Sequence, residues 1–331
     1  MFYLLTSLLK TRNFPYTNTL ATSKKMHKAI EDILPRNQTG AKKELEKLSS
    51  LIDFAVDFGT HLLKWQADKM QSGDQHLVPI LFFRNILELA DSISILIKNS
   101  SVDPAKSLIR SLLENSFGLE YLLEKDQKNR SLSFNIWRTH KELKFYNKLD
   151  KNTKVGKQFL GEIKKDLYVK EFESDDPRLE LEKKNAKNFL KLPHYISIEK
   201  EYQRTNSIRK NPNWFTLFDG PKDIEQLAKR LNHHSLYEFF YRRLSDNVHA
   251  TDLVKGKLIL NKNGQTDIIQ IRFPKDAQDI TIQTLNILVI TYKNFYEKEL
   301  PDKKDEFYKW YLKFCPLFKE LRENELFKTT L

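Results

Sequence analysis

The 331-residue sequence predicts a mostly α-helical fold, a helical bundle with one small β-hairpin insertion. Apolar residues recur three and four positions apart over most of the chain, which is the period of an amphipathic helix. The 9 Gly and 11 Pro residues are too few for a β-rich or low-complexity protein. A hydrophobic fraction of 40% and a charged fraction of 30% also fit helices that bury one face.

The helices are predicted in order from this period and from the residues that interrupt it. Ser72-Gly73-Asp74 separates the first two helices. Asp103 is the expected N-cap of the third, with Pro104 at its first position. Pro316 is expected to divide the last helical stretch. The predicted helices span 44–70, 77–98, 103–125, 132–149, 156–172, 178–191, 223–231, 237–252, 277–299, 302–313 and 317–327.

One segment, residues 257–273, has the character of a β-hairpin. Apolar, β-branched stretches flank Asn263-Gly264, a dipeptide typical of two-residue hairpin turns. Because an isolated hairpin is only marginally stable, it is expected to pack against the helices.

The predicted domain organisation is a leader followed by one domain. Residues 1–37 are predicted to be a flexible leader. The first 30 residues carry five Lys and Arg and no acidic residue, a pattern also typical of an organellar presequence, and Met26 is an alternative start. Residues 38–331 are predicted to form a single helical domain. Its core covers 44–150 and 214–299, residues 151–213 form a basic peripheral insertion, and the hairpin covers 257–273.

The charge of the chain favours polyanionic partners. The net charge is +12, and residues 127–213 hold 21 Lys and Arg against 12 Asp and Glu. Such an excess attracts RNA or other nucleic acid through the phosphate backbone. Simple solvation of a Lys-rich surface is the alternative.

Several classes of site are excluded or disfavoured by what the sequence lacks. Cys315 is the only cysteine, so one chain cannot form a disulfide, and a reducing, cytoplasmic location is expected. No run of 18 apolar residues predicts a membrane span. The chain contains no His-Glu-x-x-His, no Gly-x-Ser-x-Gly and no phosphate-binding glycine loop. Neither a metal nor another cofactor is therefore expected.

The most informative segment is 237–252, which no Gly or Pro interrupts. On a regular α-helix its apolar residues share one face, which should be buried. A second face carries polar and charged residues: Glu238, Arg242, Ser245, His249 and Asp252. His is the usual general acid or base near neutral pH, and Arg is well suited to hold a phosphate. The alternative is an ordinary polar helix edge on which Arg242 bridges Glu238.

A second pair of charges, Arg110 and Glu114, lies four residues apart on the apolar third helix. Because buried charges need partners, we expect this pair to be ion-paired. A salt bridge within the bundle satisfies that expectation. The functional alternative is that Arg110 or Glu114 reaches Arg242, Ser245 or His249.

The sequence over roughly 75–255 resembles an uncharacterised prokaryotic helical family of unknown function. The resemblance rests on Arg110-Ser-Leu-Leu-Glu114, on a Trp followed by a short helix at Trp214 and 224–228, and on Tyr-Arg-x-Leu-Ser-x-x-x-His at 241–249. This family implies no established activity.

The Arg242-x6-His249 spacing is also similar to the Arg-x(4–6)-His motif of the HEPN superfamily. Many HEPN proteins are metal-independent RNases of toxin–antitoxin and phage-defence systems. Arg243 also fits the spacing but faces away from His249 on a regular helix, and it stands where HEPN motifs often carry a polar residue. The resemblance implies a homodimer, a cognate antitoxin or defence partner, and catalysis by Arg242 and His249, with Ser245, Glu114 and Arg110 as further site residues. The alternative is a non-catalytic module that binds a protein or nucleic acid through its basic surface.

Overall fold

The computed structural model describes residues 9–11, 28–36, 40–70, 77–166, 169–172, 177–244, 257–260 and 263–327. Helices dominate, as predicted. They are α1 (Lys42–Lys69), α2 (Leu77–Lys98), α3 (Val102–Glu124), α4 (Gln127–Leu149), α5 (Lys154–Ile163), α6 (Pro177–Phe189), α7 (Ile196–Ile208), α8 (Ile224–Arg230), α9 (Ala277–Glu299) and α10 (Lys304–Glu323). Short 3-10 turns cover Pro193–Tyr195, Trp214–Thr216 and Pro301–Lys303.

Two antiparallel strand pairs accompany the helices. The predicted hairpin is confirmed: β3 (Leu258–Leu260) pairs with β4 (Thr266–Ile268), and Gly264 has a φ of 74° at the turn. The other pair was not predicted. It joins β1 (Leu9–Thr11), inside the expected leader, to β2 (Val169–Phe172). The prediction of helix up to residue 172 was therefore wrong, since α5 ends at Ile163.

Three further details correct the predicted helices. Asp103 is not the N-cap of α3; it lies in the first turn, and its carboxylate pairs with Lys106 at 3.0 Å and with Lys257. The fourth helix begins at Gln127, earlier than predicted. Pro316 does not divide the last helix, because α10 continues through it from Lys304 to Glu323.

The chain divides into two compact units. We call residues 28–131 and 221–331 the core unit, and 132–220 together with the first 27 residues the insert unit. The insert unit covers 132–220, and the narrower bounds predicted for the insertion, 151–213, stay a prediction. The prediction that residues 38–331 form one domain stays a prediction.

The core unit is built on α1, α2, α3 and α9, which pack on each other. Its centre is a buried cluster in which Phe83 stacks on Phe295 at 4.1 Å between ring centroids. The hydroxyl of Tyr292 donates to the carbonyl of Ala55 at 2.9 Å, so a polar group at this depth is satisfied. Trp310 of α10 stacks on Phe58 at 4.6 Å and covers one side of the cluster. This packing fixes α3, on which the candidate site depends.

The insert unit has its own apolar residues and a buried ion pair. Ile136, Tyr195, Ile198, Tyr202 and Leu217 form one buried cluster between α4, α7 and the segment that follows it. The ammonium of Lys183 on α6 donates to the buried carboxylate of Asp150, and both side chains are less than a tenth exposed. Because each charge neutralises the other, α6 is fixed against the end of α4.

Candidate functional site

Residues 237–252 were predicted to form one regular α-helix, but the first six residues of this segment form a π-helix. A single helical turn, His234–Leu236, leads into a π-helix over Tyr237–Arg242. In a π-helix the hydrogen bonds run to the fifth residue, so each turn is wider than an α-turn. The spacing of about 100° per residue assumed from the sequence is therefore wrong here. Tyr237 and Tyr241 nevertheless stack, with ring centroids 5.1 Å apart.

Tyr241 is the buried anchor of this segment, with a side chain that is 6% exposed. Its hydroxyl accepts a hydrogen bond from Nη2 of Arg110 at 3.0 Å and donates one to Oε1 of Glu114 at 2.5 Å. The guanidinium of Arg110 also lies 4.7 Å from the centre of the Tyr241 ring. Burial and the hydrogen bond to Glu114 raise the pKa of Tyr241 to about 12, so the phenol stays protonated and donates to the carboxylate.

Arg110 and Glu114 are indeed paired, with Nε and Oε1 3.5 Å apart, but they are less buried than expected. Their side chains are 22% and 45% exposed. Their contact with the 237–244 segment is made through Tyr241, and in the described part of the chain neither of them pairs with Arg242. Their expected contact with Ser245 or His249 stays a prediction, since both of those residues lie outside the described residues.

Arg242 follows the buried Tyr241 in the chain, and its side chain is 57% exposed. Its Nη2 lies 3.3 Å from Oε2 of Glu225 on α8 and 3.3 Å from Oε1 of Glu238. A hydrogen bond with Tyr237 and the charge of Glu238 raise the pKa of Arg242. The ion pair with Glu238 is the one that a polar helix edge also predicts. The neighbouring Arg243 is exposed as well.

A further row of contacts, which sequence reasoning missed, joins α3 to the chain around α8. Nε2 of His233 lies 2.8 Å from Oε2 of Glu120, and its ring stacks on Phe117. One turn further along α3, the carboxylate of Glu124 accepts from Nη2 of Arg230 at 3.0 Å. The signal in the sequence was that Glu120 and Glu124 are four residues apart and therefore lie on the same side of α3. Their partners are Arg230 and His233, at the end of α8 and just after it. The sequence does not show that this part of the chain packs against α3.

These contacts position one exposed cation, Arg242, beside a buried and hydrogen-bonded tyrosine. Nothing among the described residues gathers three or more His, Cys, Asp or Glu side chains in a way that could hold a metal ion. Within the same residues, no helix is both long enough and apolar enough to cross a membrane.

Comparison with known proteins places the chain in a family. Residues 76–267 match a family of unknown function (DUF5677), and the chain belongs to that family. The match covers α2 to α8, the π-helix and most of the hairpin, so it includes Arg110, Glu114 and Arg242. No curated protein and no solved structure matches the chain.

Proposed function

We propose that this member of a family of unknown function is a HEPN-like, metal-independent endoribonuclease of a phage-defence or toxin system. In this proposal Arg242 holds the scissile phosphate and His249 transfers the proton. The expected assembly is a homodimer that acts in the cytoplasm and is controlled by a cognate antitoxin or defence partner. The resemblance of Arg242-x6-His249 to the HEPN motif supports the proposal.

One structural observation carries the proposal: the π-helix holds a buried tyrosine and a largely exposed arginine at adjacent positions, Tyr241 and Arg242. Tyr241 is fixed inward by Arg110 and Glu114, while the guanidinium of Arg242 faces solvent. Such widened turns are frequent at functional sites. Arg242 is 57% exposed and its two carboxylate partners lie 3.3 Å away, so these ion pairs are weak and a phosphate can compete with them for the guanidinium.

The chemistry needs one base, one cation and the RNA itself. His249, as the base, takes the proton from a 2′-hydroxyl, and the 2′ oxygen attacks the adjacent phosphorus. The bond between phosphorus and the 5′ oxygen breaks, and the leaving 5′ oxygen takes up the proton that His249 accepted, which regenerates the base. The products are a 2′,3′-cyclic phosphate and a 5′-hydroxyl. Arg242 stabilises the negative charge that develops on the phosphoryl oxygens, for which its two parallel donors are suited.

The test is RNA cleavage by the purified protein in excess EDTA, compared between two neighbouring arginines. Arg242→Ala and His249→Ala are each expected to lower the cleavage rate by about 100-fold or more. Arg243→Ala is the matched control, because Arg243 is exposed and carries the same charge at the next position. Equal losses with Arg242→Ala and Arg243→Ala would indicate a general charge effect on binding.

If the Arg242 and His249 variants cleave like the wild type, the enzyme proposal fails. The alternative, a non-catalytic module that binds nucleic acid or a protein through the basic region 127–213, would then be favoured. If the wild type cleaves only with added divalent metal, the metal-independent mechanism fails.

A further inference from the structure

The insert unit contains a pocket of about 400 Å³ that has no role in the proposed cleavage site. It lies between α4, α7 and the segment 211–213, all within this unit. Ligand pockets in proteins are about 300–1,000 Å³, so this pocket is large enough for one small ligand and too small for a duplex.

One wall of the pocket is a row of lysines on α4, Lys141, Lys144 and Lys148. Their spacing of three and four residues places the ammonium groups on one face of the helix. Lys144 donates to the side-chain oxygen of Asn211, and in the described part of the chain none of the three pairs with a carboxylate. Partial desolvation, and then the charge of Lys144, lower the pKa of Lys141. Like charges held this close repel, and a bound anion would relieve that repulsion.

Aromatic side chains form the second wall of the pocket. Tyr202 of α7 is 8% exposed, and the ring of His140 stacks on it at 4.0 Å and an angle of 4°. Nε2 of His140 lies 2.7 Å from Oε2 of Glu199, and this hydrogen bond fixes the imidazole in position. Trp137 also lines the pocket, with Nζ of Lys141 3.9 Å from its ring centroid. A planar ring entering the pocket would therefore meet aromatic surfaces that are already positioned.

Together the two walls match a ligand that has an aromatic ring at one end and negative charge at the other. Base–aromatic stacking and lysine–phosphate contacts are the usual means of holding single-stranded nucleotides. An acidic peptide would use the lysines but leave the aromatic wall without a partner. Asn213 also lines the pocket, and its amide can both donate to and accept from a base edge.

We propose that this pocket binds one nucleoside phosphate, with the base against Trp137 and the Tyr202–His140 stack and the phosphate on Lys141, Lys144 and Lys148. The ligand is either a free nucleotide or one nucleotide of a single-stranded RNA. This site goes beyond the proposed function and holds whether or not Arg242 and His249 cleave RNA.

The test is a binding titration of the full-length protein with AMP, adenosine, inorganic phosphate and a labelled six-nucleotide RNA with a 2′-O-methyl backbone that resists cleavage. AMP or the oligonucleotide is expected to bind at least about tenfold more tightly than adenosine or phosphate, because only a nucleotide engages both walls. Binding of AMP assigns a free nucleotide, and binding of the oligonucleotide alone assigns a strand. Equal affinity for phosphate and AMP would overturn the proposal.

Variants link the binding to the pocket. Lys148→Gln changes an exposed residue and is expected to weaken binding by about tenfold through loss of a charged contact. Lys313→Gln, an exposed lysine on α10, is the matched control and should leave affinity unchanged. Trp137→Leu tests the aromatic wall, with helicity measured by circular dichroism to confirm folding. If a folded Trp137→Leu protein and Lys148→Gln both bind like the wild type, the ligand lies elsewhere. Arg242→Ala should bind normally, which separates this result from the cleavage proposal.

Discussion

Tyr241→Phe is the substitution that best tests how the π-helix is held to α3. It removes one oxygen and keeps the buried ring and its stacking on Tyr237. The lost hydroxyl makes two hydrogen bonds to charged groups, one to Arg110 and one to Glu114. The substitution therefore probes those bonds with little change in packing.

The expected loss of stability depends on how exposed the hydrogen-bond partners of the Tyr241 hydroxyl are. Each hydrogen bond to a charged group contributes about 1.5–3 kcal/mol when its loss leaves the charge unsatisfied. Here Glu114 is 45% exposed and keeps its own ion pair with Arg110, so water and that pair replace much of what is lost. We expect Tyr241→Phe to lower the free energy of unfolding by about 2 kcal/mol at pH 8.

The pH dependence gives the same prediction an independent check. The pKa of Tyr241 is raised in the folded protein from 10.0 to about 12. A group with a raised folded pKa contributes stability that is complete below its unfolded pKa and is lost as the pH rises through the folded value. The wild type should therefore lose about 1.4 kcal/mol per pH unit between pH 10 and pH 12 from this residue alone. Tyr241→Phe lacks this loss, so the two proteins should converge in stability.

The assay is urea unfolding followed by circular dichroism at pH 8, 10 and 11, with the difference in unfolding free energy taken between the two proteins. Glu114→Gln, alone and combined with Tyr241→Phe, completes a double-mutant cycle that isolates the pair. A difference that stays constant from pH 8 to pH 11 would refute the assignment of the hydrogen bonds. So would a Tyr241→Phe protein as stable as the wild type at pH 8.

Three other substitutions test contacts elsewhere. Pro316→Ala should raise the free energy of unfolding by about 1–3 kcal/mol, because the exposed Pro316 interrupts the hydrogen bonding of an otherwise continuous helix. Lys183→Met should lower stability by about 3–5 kcal/mol, because it leaves Asp150 buried without its cation. Burial opposes the charge of Glu124, but hydrogen bonds from two arginines outweigh it and hold its pKa below the usual value. Stability from this carboxylate is present above its unfolded pKa and is lost as the pH falls through its folded pKa, so Glu124→Gln should cost up to about 1 kcal/mol at pH 7 and progressively less in acid.

Denaturant unfolding measures all three, and each has an outcome that contradicts it. A Pro316→Ala protein less stable than the wild type would mean that the proline favours this helix. A neutral Lys183→Met would mean that water reaches Asp150. A Glu124→Gln effect that does not decrease at all between pH 7 and pH 3 would mean that the lost contacts are not ionic.

The helices that the sequence predicted well are those with one buried face and clear ends. The range 77–98 was predicted as observed, and so was 277–299, because both contribute rows of buried apolar residues to the core unit. The prediction that Pro316 divides the last helix was wrong because tertiary packing outweighs the tendency of proline to interrupt a helix. Phe314 and Leu321, on either side of it, are both buried, so both halves of α10 are held in line.

Other features were beyond sequence reasoning because they depend on distant partners. β2 forms by pairing with residues 9–11, which are far away in the chain, and the local sequence of 169–172 does not predict that pairing. The candidate site shows the same limit. The spacing of Arg110 and Glu114 indicated a pair, and Arg242 was singled out. The π-helix, and the hydrogen bonds of Tyr241 to that pair, depend on tertiary packing that the sequence does not show.

The division of the chain has a consequence for its synthesis. The core unit consists of residues 28–131 and 221–331, so its first three helices leave the ribosome long before α9 exists. At about 5–20 residues per second, the interval is on the order of ten seconds. During that time the buried faces of α1, α2 and α3 lack the helix that closes their cluster, whereas 132–220 can already be complete. The nascent chain should therefore be most prone to aggregation, and most dependent on chaperones, before α9 emerges.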